Sequence, residues 1–251
     1  MSLLEVDRVS RYFDGLAAVD DVSFAIEKGD LVGLIGPNGA GKTTLFNLIS
    51  GFQPLSGGTV RFSGRTVDGK KPHAIARLGM SRTFQNLRIF PNMSVFDNTS
   101  VGAVGIIGQS GWNAVFGTAA RAETISRRSW AALEKVGLAS VAGDLAANLS
   151  YGKRKYLEIA RALAMEPELL ILDEPAAGLN DSETAELAAF IKTLNAEGIT
   201  IMLVEHDMTL VMGICRRVIV LASGRKIGDG TPEVVRADPA VLEAYLGTDD
   251  A

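Results

Sequence analysis

Apolar and polar positions divide the chain into three stretches with different periods. In the first, Ser2–Val9 and Val19–Ile26 alternate or cluster apolar residues between turn signals, which predicts strands. Lys28-Gly29-Asp30 reads as a turn. Leu31-Val32-Gly33-Leu34-Ile35 is a short continuous apolar run, which suits a strand buried on both faces. A glycine-rich loop follows at once, then a helix over Lys42–Ser50 that Gly51 stops. Gly57–Phe62 predicts a further strand.

The middle stretch has no clear period. Gly102, Gly105, Gly108, Gly111 and Gly117 recur there, with Trp112 and Phe116 on no periodic face, so 102–117 reads as a loop or loosely formed insert. Thr118–Val136 returns to helical spacing through Ala122, Ile125, Ala132, Leu133 and Val136, and Gly137 ends it. The last stretch alternates cleanly. Helices are predicted over Gly152–Met165 and Ser182–Glu197, the latter with Leu187, Phe190, Ile191 and Leu194 on one face. Strands are predicted at Leu169–Leu172, Ile199–Val204 and Val218–Leu221, and short helices follow Pro232 and Pro239. Strands alternating with helices at this spacing imply an α/β fold with a mostly parallel sheet.

Composition narrows the classes. The 251 residues carry 25 Lys+Arg against 29 Asp+Glu, a net charge of −4, so a broad nucleic-acid footprint is not expected. The single cysteine, Cys215, excludes an internal disulfide framework and a multi-cysteine zinc site; its apolar neighbours make it a packing residue. No run of 18 apolar residues is present, and the N-terminus lacks the basic start and apolar stretch of a secretory signal, so the expected location is the cytosol. A mean hydropathy of +0.19 hints at an apolar contact surface.

Gly36-Pro37-Asn38-Gly39-Ala40-Gly41-Lys42-Thr43 fits the phosphate-loop pattern between a predicted strand and a predicted helix. Glycines let successive backbone N–H groups curl around phosphate oxygens, and the helix N-terminus adds its positive dipole end. In that pattern Lys42 reaches the β- and γ-phosphates and Thr43 gives a hydroxyl to Mg²⁺. Leu169–Leu172 runs into Asp173 and Glu174. Asp173 is placed to hold Mg²⁺ or its water shell, and Glu174 to orient or deprotonate an attacking water. His206 follows another strand, and parallel strands deliver their C-terminal ends to one edge, where ligands bind. His73 reads as a surface residue. Ser150 and Gly152 open a helix, either as an ordinary cap or as an anion-binding N-terminus.

The order of phosphate loop, Gln85, Leu149-Ser150-Tyr151-Gly152, Asp173-Glu174 and His206 resembles the nucleotide-binding subunit of an ATP-binding cassette (ABC) transporter over essentially the whole chain. The resemblance implies a P-loop NTPase with an N-terminal antiparallel β subdomain and an inserted helical subdomain. It divides one ABC domain into a core at 1–92 and 155–251 and a helical part at 93–154. ATP and Mg²⁺ are the implied cofactors. Phe13, or Tyr12 in its place, stacks on adenine. Gly36, Pro37, Asn38, Gly39, Ala40, Gly41, Lys42, Thr43 and Thr44 hold the nucleotide, and Ser150 and Gly152 reach the γ-phosphate held by the opposite subunit. Thr43, Gln85 and Asp173 form the metal set. Glu174, His206 and Gln85 act in hydrolysis, and Ala177-Gly178-Leu179-Asn180 bridges the dimer. Three positions depart from the usual pattern: Tyr151 stands for a glycine, Lys153 for a glutamine and Asn180 for an aspartate.

Within that family, Arg82-Thr83-Phe84-Gln85, Leu157–Ala162, Glu174–Asn180, Glu205–Met208 and the ending Ala244–Gly247 are similar to the branched-chain amino acid importers. The implied role is to power uptake of such amino acids or related small polar, amide or aromatic solutes. Implied partners are two integral membrane permease subunits, a second ATPase subunit and, indirectly, a solute-binding protein, with no nucleic acid. The implied place is peripheral, on the cytoplasmic face of the inner membrane. Residues Gln85–Phe90 and the glycine-rich insert are expected to face the permeases. The alternatives are the ATPase of a lipid or lipopolysaccharide export system, or an ABC ATPase acting on DNA. The absence of sustained heptads argues against the last.

Overall fold

The apolar runs become strands buried on both faces. The computed structural model describes residues 2–107, 118–206 and 208–246. Its first elements are β1 (Ser2–Phe13), β2 (Leu16–Glu27), β3 (Leu31–Ile35), α1 (Lys42–Ile49), β4 (Gly57–Phe62), β5 (Arg65–Thr66), α2 (Pro72–Ala76) and β6 (Met80–Arg82). Helices α3 (Val95–Ile106), α4 (Thr118–Lys135) and α5 (Tyr151–Leu163) follow, then β7 (Leu169–Asp173), α6 (Asp181–Ala196), β8 (Thr200–Val204) and α7 (Met208–Ile214). The chain continues through β9 (Arg217–Ala222), β10 (Arg225–Gly230), α8 (Pro232–Ala237) and α9 (Pro239–Leu246).

Six strands form one sheet in the order β10-β9-β3-β8-β7-β6. All its pairs are parallel except β10 with β9. Its side chains split between two cores. Val32, Leu34, Leu169, Ile171, Met202 and Val204 face one layer, while Leu31, Ile35, Leu170, Leu172, Ile201 and Leu203 face the other. Each such buried aliphatic side chain contributes on the order of 1.5–3 kcal/mol. The first layer is closed by α1 and by an antiparallel sheet of order β2-β1-β4-β5. The second holds α5, α6 and α7.

Helices α3, α4 and α5 pack on one another. Here the structure corrects the reading of 102–117 as a loop: α3 runs through Gly102 and Gly105 to Ile106. Ser94 caps it by accepting from Asp97 N–H. Gly102 is a close-approach residue, since a Cβ there would lie 2.0 Å from the Arg161 carbonyl oxygen of α5. Trp112 and Phe116 lie outside the described residues.

Candidate nucleotide-binding and hydrolysis site

Strands β3, β8 and β7 are neighbours and parallel, so their C-terminal ends open on one edge. The phosphate loop leaves β3, Glu174 leaves β7 and His206 follows β8. The loop's path is set by backbone. Gly36 has φ +152° and a Cβ there would lie 2.1 Å from the Leu221 carbonyl oxygen. Gly41 has φ +97° and a Cβ there would lie 2.4 Å from the Ala18 carbonyl oxygen of β2. Only glycine fits both places. Helix α1 has no side-chain cap and no acid in its first turn, so its N-terminal amides carry no competing carboxylate.

Lys42 is buried and donates to the carbonyls of Gly36 at 2.6 Å and Pro37 at 3.0 Å. Burial pushes its ammonium below the ordinary lysine value, against the opposing pull of Glu174 and Asp173. Thr43 is exposed and Thr44 half-buried at the same helix start. Pro37 is half-buried, Asn38 and Gly39 exposed, and Ala40 donates its N–H to the Pro37 carbonyl. Asp173, buried at the end of β7, takes a 2.7 Å ion pair from Arg82 of β6. Arg82 also donates to Asn47 and Ser50, at the end of α1 and just beyond it, which ties the Asp173 strand to the helix behind the phosphate loop.

Glu174 follows with φ +47°, a conformation costly for a side chain of its kind and found where surrounding structure enforces it. Its N–H bonds to the Val204 carbonyl, and its Oε2 accepts from Gln85 Nε2 at 2.9 Å. Two residues 89 apart in sequence thus meet beside the loop. The donor set that the resemblance implies for Mg²⁺ is a hydroxyl, a carboxylate and an amide (Thr43, Asp173 and Gln85). That suits an ion held largely by phosphates and water rather than by a protein cage. Among the described residues no cluster of three or more His, Cys, Asp or Glu stands ready for an ion.

His206 is exposed, and its Nδ1 lies 3.7 Å from Glu205 Oε2. Glu205 is fully buried, accepts from Ala176 N–H, and is pushed up in pKa first by burial. It joins the loop after Glu174 to His206. In the sequence it stands only within the importer-like stretch Glu205–Met208, and otherwise reads as the polar end of a strand. Phe13 ends β1 as a half-exposed ring with the Arg11 guanidinium 4.6 Å from its centre. The alternative, Tyr12, has its hydroxyl committed to Asp20.

Ser150 caps α5 by accepting from Lys153 N–H. Tyr151 donates to the Ala177 carbonyl and its ring rests against Gly178. Gly152 faces Glu183, and a Cβ there would stand 3.0 Å from its carboxylate oxygen. Asn180 caps α6 in a reciprocal box with Glu183, a role its amide oxygen fills as an aspartate would. Strand β6 and the buried charges Lys155 and Glu158 have no periodic signal in the sequence, where Arg82 and Glu158 appear only within the importer-like stretches Arg82–Gln85 and Leu157–Ala162. Three residues are too few for a period, and a charged residue on a helix ordinarily reads as solvated.

The ABC transporter family model matches residues 19–177, and a model of the branched-chain amino acid ATP-binding cassette transporter matches 225–251. The chain is 43% identical over 249 residues to BraF of Pseudomonas aeruginosa, a high-affinity branched-chain amino acid transport ATP-binding protein, covering 98% of each. LivG of Escherichia coli K12, described in the same words, is 43% identical over 251 residues with the same coverage. A solved ATP-binding cassette of an ABC transporter in its ADP conformation is similar with a TM-score of 0.86 at 32% identity, over 98% of this chain and 99% of that one. A nucleotide-free cassette gives 0.85 at 31% over the same shares. The ordered loops on one sheet edge and a likeness that runs through nearly the whole chain lead to one conclusion: the chain belongs to the ABC transporter ATP-binding family.

Proposed function

We propose that the chain is the ATP-hydrolysing subunit of an importer for branched-chain amino acids or related small solutes, peripheral on the cytoplasmic face of the inner membrane. The observation that carries the hydrolytic reading is the Gln85–Glu174 hydrogen bond beside the phosphate loop. In this reading Lys42 turns from the Gly36 and Pro37 carbonyls to the β- and γ-phosphates, while α1 amides and Thr44 take phosphate oxygens. Glu174 accepts a proton from water as the water oxygen attacks the γ-phosphorus. The bond to the bridging oxygen breaks, giving ADP and phosphate. Gln85 holds that water and His206 contacts the γ-phosphate. Thr43, Asp173 and Gln85 would hold Mg²⁺, which when bound neutralises charge on the β- and γ-oxygens. Phe13 stacks on adenine.

The amino acid cargo is supported by the names of the full-length relatives and by the match at 225–251. Among the described residues no helix is long and apolar enough to cross a membrane, so in this reading permease chains form the path for the solute. An apolar groove of about 380 Å³, lined by Phe52, Phe84, Phe90, Val101 and Met165 among others, is the docking place we assign to them. Cysteines at Arg88 and Asn92 should cross-link to a permease in the assembled complex. A second ATPase subunit, placed head to tail, would bring Ser150 and Gly152 to the nucleotide on Lys42.

The test of the shared site is complementation. Lys42→Ala and Ser150→Ala are each expected to be nearly inactive, yet a mixture forms dimers with one intact site and so regains measurable phosphate release. No regain, with mixed dimers demonstrated and with the co-purified partner ATPase tested in the same way, rejects it. Cargo is tested by solute-stimulated ATP hydrolysis in vesicles that hold the co-purified permeases and solute-binding protein; no stimulation by leucine, isoleucine or valine rejects it.

A further inference from the structure

Helix α5 commits two buried charges to the backbones of other loops. Lys155 and Glu158 are each 3% exposed. Taking an ammonium and a carboxylate out of water costs several kcal/mol apiece, so a helix that merely packed would carry apolar residues there. Lys155 donates its Nζ to the carbonyl of Glu174 at 3.2 Å, under the Tyr151 ring. Glu158 accepts from Phe84 N–H at 3.3 Å, with the Arg88 N–H as a further donor to its carboxylate. Arg161, one turn on, pairs with Glu158 and donates to the Arg88 carbonyl. Glu158 and Arg161 therefore grip the loop on both sides of Gln85, while Lys155 grips the backbone of Glu174.

The geometry follows from helix spacing. Residues 151, 155 and 158 lie at i, i+4 and i+7 on one face. A helix is stiff, and the Lys155 and Glu158 anchors are separated by about 4.5 Å of rise. Their two targets are thereby held at a fixed offset, and the side chains of those targets, Gln85 and Glu174, meet at 2.9 Å. Ser150 caps the same helix, so its N-terminal end and both loops are tied to one stiff element.

We propose that Lys155 and Glu158 are positioning residues for hydrolysis, setting the Gln85–Glu174 distance from one face of α5. The proposal rests on the reading of Glu174 as the acceptor of the water proton. Misplacement by about 1 Å costs on the order of 100-fold in rate, whereas nucleotide affinity is set elsewhere, at the phosphate loop.

The experiment compares Lys155→Met with Lys155→Arg and Glu158→Leu with Glu158→Gln in the full chain. Phosphate release is followed against ATP concentration, and binding of labelled ATP is measured separately. Lys155→Met and Glu158→Leu are expected to lower kcat by about 10- to 100-fold with KM and ATP affinity within about threefold. The Arg and Gln variants keep a donor and an acceptor, and are expected to recover most of kcat. Amide hydrogen exchange at Phe84 should quicken at least about tenfold in Glu158→Leu and little in Glu158→Gln. If Glu158→Leu does not fold, the Lys155 pair alone decides. Wild-type kcat in folded Lys155→Met overturns the proposal, as does equal loss in the conservative variants. Glu174→Gln separates the two levels: if it is inactive while Lys155→Met is normal, only the positioning role falls, and if Glu174→Gln turns over normally, both fall.

Discussion

The phosphate loop and the cluster proposed to activate water share one sheet edge but are built in opposite ways. The loop is eight consecutive residues between β3 and the first turn of α1, shaped by glycine φ angles and by contacts with Leu221 and Ala18. The cluster is assembled from three separate stretches, Arg82–Gln85, Lys155–Glu158 and Asp173-Glu174. Gln85 meets Glu174 across 89 residues, Arg82 meets Asp173 across 91 and Phe84 meets Glu158 across 74. A local device can be carried intact from fold to fold. A dispersed one exists only where β6 pairs with β7 and α5 lies across both loops. Lesions in the first should therefore act on nucleotide binding, and lesions in the second on turnover or on the stability of the assembly.

The sharpest break is Glu174→Gln. The amide keeps the shape and the contact with Gln85 but cannot take a proton, so turnover should fall by about 10²- to 10⁴-fold while ATP affinity stays within about threefold. Phosphate release and equilibrium ATP binding on the same preparation check it, and loss of binding in parallel would merge the two regions.

Arg82→Met tests the dispersed region through stability. It leaves Asp173 buried without its cation, for an expected cost of about 3–5 kcal/mol in urea unfolding. A change below about 1 kcal/mol would mean that Asp173 is otherwise satisfied.

Asn180→Ala should be milder, at about 1 kcal/mol, because it removes one half of a capping box at an exposed helix start. Asn180→Asp should restore the loss, since a carboxylate accepts the same Glu183 N–H and favours a helix N-terminus.

Cys215 gives the smallest effect near neutral pH, and a pH sign. Burial pushes its thiol up to about 12. Above about pH 9 the unfolded chain releases this proton while the folded chain keeps it, so stability falls as pH rises toward about 12 and is unaffected by Cys215 below that window. At pH 8 a thiol reagent should label the urea-unfolded chain and leave the native one untouched; fast native labelling would contradict the packed position.

Much of the fold and of the site is legible in the chain itself. The phosphate loop, the apolar strands ending at Ile35 and Val204, and the Asp173-Glu174 pair each follow from short-range pattern. The glycines of α3 mislead because loop flexibility and close helix packing use the same residue: Gly102 is small so that α5 can approach. The short β6 is hidden because Ser81 and Arg82 break any apolar run, although Arg82 is buried against Asp173. Lys155 and Glu158 resemble a solvated face, and nothing local distinguishes a charge in water from one bonded to a distant backbone.

The sequence by itself determined what depends on neighbouring residues: backbone torsions at the glycine turns, most helix starts and stops, the two-sided burial of β3, β7 and β8, and a phosphate loop whose chemistry is contained in eight positions. Only the tertiary structure decided which strand lies beside which, and with it that Gln85 faces Glu174, that Arg82 neutralises Asp173, and that one helix holds both loops. The physical reason is that local preferences are settled by each residue's own torsional and solvation energies. Contacts between residues so far apart in the chain carry a loop-closure entropy that only the whole core offsets, and so they are properties of the pairing of strands rather than of any segment.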